Sequence, residues 1–190
     1  HLRAIDVLGF HAAVLFSGHG GPHDHDMSPF VDLVQPHLGV RVAFVGNDDD
    51  LSDDPETDME WADHAGKGET SVLWAAEPSC TDTSRLPPRS TSGPHFAMGA
   101  NAFEANRRQG EWLIQHKADY LGTTAQLLSN QYDADKAAPR LTTYHAVETL
   151  WQHVVLPALP DFACMKERDT EVPKDSVWYP NWHIPHDGVH

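Results

Sequence analysis

Two short motifs in this chain combine side chains that could hold a divalent ion and move a proton. Ser17-Gly18-His19-Gly20-Gly21 sets an imidazole among glycines, and Asp63-His64-Ala65-Gly66-Lys67-Gly68-Glu69-Thr70-Ser71 supplies a second imidazole and a carboxylate. Imidazole and carboxylate are both ligands for zinc or manganese. An imidazole that titrates near neutrality also carries protons. The chemistry these types point to is metal-assisted hydrolysis, in which a bound ion acidifies water and a nearby base handles its proton.

Each motif needs an element to aim it. Ala12-Ala13-Val14-Leu15-Phe16 is a short apolar run of the buried-strand type, and the turn residues from Ser17 to Pro22 stop it. His19 therefore falls at the carboxyl end of a strand, the edge at which open α/β sheets bind ligands. The flanking glycines are expected to supply positive φ and close approach. His64 and Glu69 are spaced too far apart for one helical face, which puts His64 in a loop and Glu69 in the first turn of the helix that follows. The helix dipole favours a carboxylate there. The same residues also suit plainer roles: His19 in an ordinary strand-to-helix turn, and Glu69 as a first-turn charge.

The run from Leu8 to Gly21, followed by His64-Ala65-Gly66 and Glu69-Thr70-Ser71, resembles the creatininase (creatinine amidohydrolase) family. Leu73, Pro78 and Asp82-Thr83-Ser84-Arg85 extend the resemblance, which covers roughly residues 5–130. It implies a three-layer α/β/α fold with a mostly parallel sheet, a dinuclear zinc or manganese centre, hydrolysis of a C–N bond in a small cyclic amide or related substrate, and a homo-oligomer, often a hexamer. By the same resemblance His19 and Glu69 are metal ligands, and His64 is the catalytic proton shuttle. Two departures stand out. Pro22 occupies the place of the family's asparagine, removing a side-chain amide and a backbone donor. The family's earlier Glu-x-His-Gly-x-His-like segment and bridging aspartate are not found ahead of Leu8, so a fragment of the family fold is expected, or a degenerate member that acts as a structural or binding subunit without catalysis. A rival alignment of His19 to Asp26 with that segment fits less well, because the preceding strand and the distance to His64 match the later motif. His23, Asp24, His25 and Asp26 are competent ligands whose plainer reading is a solvated loop.

Composition narrows the classes. The chain has 190 residues, enough for a real core, and 28 acidic against 13 basic residues give a formal charge of −15. That charge argues against nucleic acid as a partner and suits cation binding. Fourteen histidines favour metal affinity in general. Much of the acid is concentrated between Asp48 and Glu60, an expected exposed loop. The two cysteines, Cys80 and Cys164, have no zinc-site spacing and are expected as free thiols in a reducing, cytoplasmic setting. No apolar run is long enough for a membrane span, so no membrane partner is expected.

The coarse element order is a helix over 1–9, a strand over 11–17, a helix over 28–37, a strand over 39–45 and a helix over 69–76. A proline-rich irregular stretch over 78–95 and one or two amphipathic helices over 102–128 follow, with Asn101 and Glu104 in a capping-box pattern. Alternating strand and helix predicts an α/β layer fold. Residues 1–133 form the expected creatininase-like domain. Residues 134–190 are expected to add an amphipathic helix ended by Pro157 and an aromatic tail that packs on the same domain or on a neighbouring subunit, with His183 and His186 on its surface.

Overall fold

The structure, a computed structural model, describes residues 1–19, 22–47, 64–90, 99 and 101–163 of the chain. Helix α1 (Leu2–Val7) leads to strand β1 (Ala12–Phe16), helix α2 (Pro22–Val34), a 3-10 turn (Gln35–His37) and strand β2 (Arg41–Val45). The strands pair in parallel, with Ala12 opposite Arg41 and Phe16 opposite Val45. Two parallel strands need a crossover, and α2 with its 3-10 turn is that crossover. Helices α3 (Lys67–Ala76) and α4 (Arg107–Gln131) follow, then α5 (Tyr144–Leu150), a π-turn (Trp151–Val155) and the helical turn α6 (Leu156–Ala158). The chain is thus a mixed α/β protein, with one two-stranded parallel sheet among the described residues.

Val31, Val34, Leu38, Val40, Val42 and Val155 form the buried core, and Leu2, Ile5, Leu15, Phe44, Leu141 and Leu159 pack against it. Each fully buried valine contributes about 1.5–3 kcal/mol relative to exposure. Leu141, Val155 and Leu159 belong to the segment beyond residue 133, and they share this core. The last described residues return to α2: Phe30 and Phe162 meet edge to face at 6.4 Å, and the amide of Ala163 donates to the buried Asp26 carboxylate at 2.8 Å.

Several expectations need correction. The helix placed over 28–37 begins at Pro22, because proline suits the first helical position, where its missing N–H would be unpaired anyway. Pro29 lies inside it, and Pro36 converts its end to a 3-10 turn. His25 and Asp26 are therefore on α2 and not in a solvated loop. The segment 102–128 is a 3-10 turn (Ala102–Glu104) and then one long helix. Asn106, not Asn101, caps α4, its side chain accepting from the Gln109 amide at 3.0 Å. Pro157 does not end the amphipathic helix but follows a π-turn, as expected where a proline cannot donate to the preceding turn. The acidic tract over 48–60, Cys164, His183, His186 and the aromatic tail lie outside the described residues. Cys80 is an exposed free thiol.

Helices α3 and α4 cross so closely that a Cβ on Gly110 would lie 1.8 Å from the Ser71 carbonyl oxygen. Ser71 is fully buried at this crossing, and its Oγ accepts from the amide of Asn106 at 3.0 Å. Helix α4 also packs on both strands, so it links the start of α3 to the sheet.

Candidate functional site

His19 sits just past the carboxyl end of β1, exposed. The ladder runs one step beyond the strand, with the Ser17 amide donating to the Val45 carbonyl at 3.3 Å. Ser17 then folds back on the turn: its Oγ accepts from the His19 amide at 3.2 Å and donates to the His19 carbonyl at 3.0 Å. This hydroxyl, a common turn device, fixes the backbone that carries the imidazole. Gly18 has no positive φ, and a Cβ on it would meet nothing within 4 Å, so the turn does not require glycine there. Gly20 and Gly21 lie outside the described residues.

The second motif is a kinked entry to α3. His64 is exposed, and Ala65 turns the chain at φ 47°, a left-handed conformation rare outside glycine. Gly66 is the N-cap of α3 and has no side chain to cap with. Glu69 takes that task, its Oε2 accepting from the Ala65 amide at 2.8 Å. The arrangement is close to a capping box, with the carboxylate reaching one residue further back. The Gly99 amide donates to the Ala65 carbonyl at 3.2 Å, and a Cβ on Gly99 would lie 2.6 Å from the Gly66 Cα. Asn101, expected to cap its own helix, instead accepts from the Lys67 amide at 3.0 Å through Oδ1. Lys67 and Glu104 lie 3.8 Å apart. The His64 turn is thus held from both sides by residues distant in sequence.

Glu69 is bonded to Ala65, the residue after His64, which ties the two to one turn of the backbone. Glu69 is a helix-capping carboxylate, and ligation remains chemically compatible with that role, since a carboxylate has about four acceptor positions. His19 is on a separate turn, just past the carboxyl end of β1. One imidazole and one oriented carboxylate are the right donor types for zinc or manganese. Among the described residues, no three His, Cys, Asp or Glu side chains converge into a metal-binding group.

Lys117 was not singled out by sequence. It is 3% exposed on α4, and its Nζ donates to the carbonyls of Asn47 at 2.7 Å and Gly46 at 3.3 Å, just past the end of β2. Its ammonium also lies 5.6 Å from the Phe16 ring and 5.9 Å from the Tyr120 ring. The signal was a lysine in register with Gly110, Leu113 and Leu128, the buried stripe of α4.

Comparison with family models, with curated proteins and with solved structures returns no match to this chain.

Proposed function

We propose that this chain is a creatininase-like, metal-dependent amidohydrolase that cleaves a C–N bond of a small cyclic amide or related substrate. What supports this reading is that each motif sits on an anchored turn: His19 at the carboxyl edge of β1, and the His64 turn clamped by Glu69 at the start of α3. The three-layer α/β/α arrangement and a hexameric homo-oligomer belong to the same proposal.

In it, His19 and Glu69 would be ligands of a zinc or manganese centre, His19 to one ion and Glu69 to the other if it is dinuclear, and the metal would supply Lewis acidity toward the carbonyl and toward water. The Ala65 amide orients the Glu69 carboxylate and leaves it further acceptor positions, with which it would hold the metal. His64, exposed beside the kink, takes the proton from the attacking water and returns it to the leaving nitrogen.

Elemental analysis of the purified chain, with His19→Ala, Glu69→Ala and His64→Ala alongside, tests the assignment. Loss of metal and of amide hydrolysis is expected for the first two variants, and retained metal with lost turnover for the third. A Glu69→Ala protein with full metal and full hydrolysis would overturn it. A second reading, a structural or binding subunit without catalysis, is favoured by the lack of a three-donor cluster among the described residues. Wild-type chain that takes up no zinc or manganese and hydrolyses no amide would establish that reading instead.

A further inference from the structure

The opposite edge of the sheet holds a cavity of about 950 Å³, a size suited to a small molecule. Its floor is the start of β2, one wall is the end of α2 with its 3-10 turn, and the other is the end of α4 with the turn that follows. The strand lengths put it roughly 13 Å of backbone away from the His19 edge. It shares no residue with the candidate metal site.

Arg41 lines this cavity, and its backbone is held on both sides. Its amide donates to the His11 carbonyl at 2.9 Å. The side-chain amide of Gln35 grips the strand on both sides of it, donating to the Val40 carbonyl at 2.9 Å and accepting from the Val42 amide at 2.8 Å. The next residue out, Gly39, is pressed so closely that a Cβ would meet the Ala138 carbonyl at 3.0 Å. Across the cavity, Tyr132 is stacked on the His11 ring with centroids 4.1 Å apart.

One nitrogen of the guanidinium, the buried Nε, has no hydrogen-bond partner among the described residues. Such groups nearly always have a partner in folded proteins. The carboxylates on the rim do not supply one: Asp133 is paired with Lys136 at 2.8 Å, and Asp32 is exposed. In a chain so rich in acid, an arginine that lines a cavity and is paired with neither of the carboxylates lining it, Asp32 and Asp133, suits an oxyanion. The planar fork of guanidinium donors matches carboxylate and phosphate oxygens in pairs.

We propose that this cavity binds a small molecule through a carboxylate or phosphate group held by Arg41. The test is an NMR titration of the full chain at constant ionic strength, following the Arg41 Nε–H signal while acetate is added to one sample and inorganic phosphate to another. A saturable shift with either probe is expected, and the stronger probe tells which oxyanion the site prefers. Arg41→Gln should weaken that binding at least about tenfold, and Arg41→Lys should weaken it less, since the charge persists without the fork. Ala134→Trp, which fills the cavity and leaves Arg41 in place, should abolish the shift while the Nε–H signal remains visible. A drift that never saturates, or undiminished binding in a folded Ala134→Trp protein, would overturn the proposal.

Discussion

The ammonium of Lys117 donates to the Asn47 carbonyl at 2.7 Å, tying the middle of α4 to the carboxyl end of β2. The lysine is buried, and the aromatic faces of Phe16 and Tyr120 lie near its charge. It joins the ends of both strands at the edge where His19 emerges.

Lys117→Met keeps the length of the side chain and removes its donors. The carbonyls of Gly46 and Asn47 then lose a buried partner, which costs about 1–3 kcal/mol. Urea denaturation is expected to show that loss. If hydrolysis takes place at this edge, turnover should fall more steeply than stability, because the turn after β2 loses its anchor. Lys117→Met with wild-type stability would show that water replaces the ammonium without cost.

Asp6 has a comparable role at the other end of the chain. It is fully buried, accepts from the Val40 amide at 2.9 Å and from the Leu141 amide at 2.7 Å, and lies 3.7 Å from the Arg140 guanidinium. One carboxylate thus joins α1, the entry to β2 and the segment after residue 133. Asp6→Ala leaves the Val40 and Leu141 amides without their acceptor, while Arg140 keeps the backbone carbonyls of Asp6 and Phe10, so the loss is about 1–3 kcal/mol for each stranded amide. Asp6→Asn retains one amide acceptor and should lose less. Chemical denaturation of both variants checks the order.

The crossing of α3 and α4 gives a steric prediction. Gly110→Ala places a methyl group against the Ser71 carbonyl, and neither helix backbone can yield without losing the Ser71 bond to the Asn106 amide. The expected penalty is about 3 kcal/mol or more, the upper range for overpacking. Thermal unfolding should show a marked drop in Tm, whereas Gly122→Ala on the same helix should be neutral or stabilising, since a Cβ there meets nothing within 4 Å.

Asp82 supplies a pH prediction. The Ser84 hydroxyl and then the Ser84 amide hydrogen-bond to its carboxylate and hold its pKa below the ordinary value, with the nearby Arg85 charge helping. A carboxyl whose pKa is lowered by folding adds stability that is fully present above its ordinary pKa and fades as pH falls through the lowered one. Ser84→Ala should raise the Asp82 pKa toward the ordinary range, which carbon-detected NMR titration of the side chain would show. An unchanged titration would mean that the amide alone sets it.

The strands and the start of α3 were legible because each is a short apolar run or a helix opening bounded by turn residues. Residues 12–16, 41–45 and 67–76 fall within a residue or two of expectation. What escaped depended on distant partners. Asn101 and Glu104 carry the spacing of a capping box, yet Asn101 is drawn to the Lys67 amide and Glu104 to the Lys67 ammonium, contacts that no local pattern encodes. No local pattern marks Arg41 or Gln35; the fold sets both on one cavity. The turns at His19 and His64 are held by Ser17, Glu69, Gly99 and Asn101, of which only Ser17 and Glu69 lie within the motifs themselves.

The sharpest test of the His64 turn is at Ala65. A left-handed alanine costs about 1–2 kcal/mol relative to its preferred conformation, and glycine avoids that cost while losing some chain entropy on folding. Ala65→Gly is therefore expected to raise stability by about 0.5 kcal/mol. Ala65→Val, β-branched at positive φ, should lower it well beyond that. If the turn aims His64 for proton transfer, Ala65→Gly should keep the bonds from Glu69 and Gly99 and retain most activity, whereas Ala65→Val should lose turnover even where the protein remains folded. Equilibrium unfolding and steady-state hydrolysis on the two variants separate these effects. A glycine variant less stable than the wild type would mean that Ala65 is held by contacts of its methyl group and not by the need for the turn.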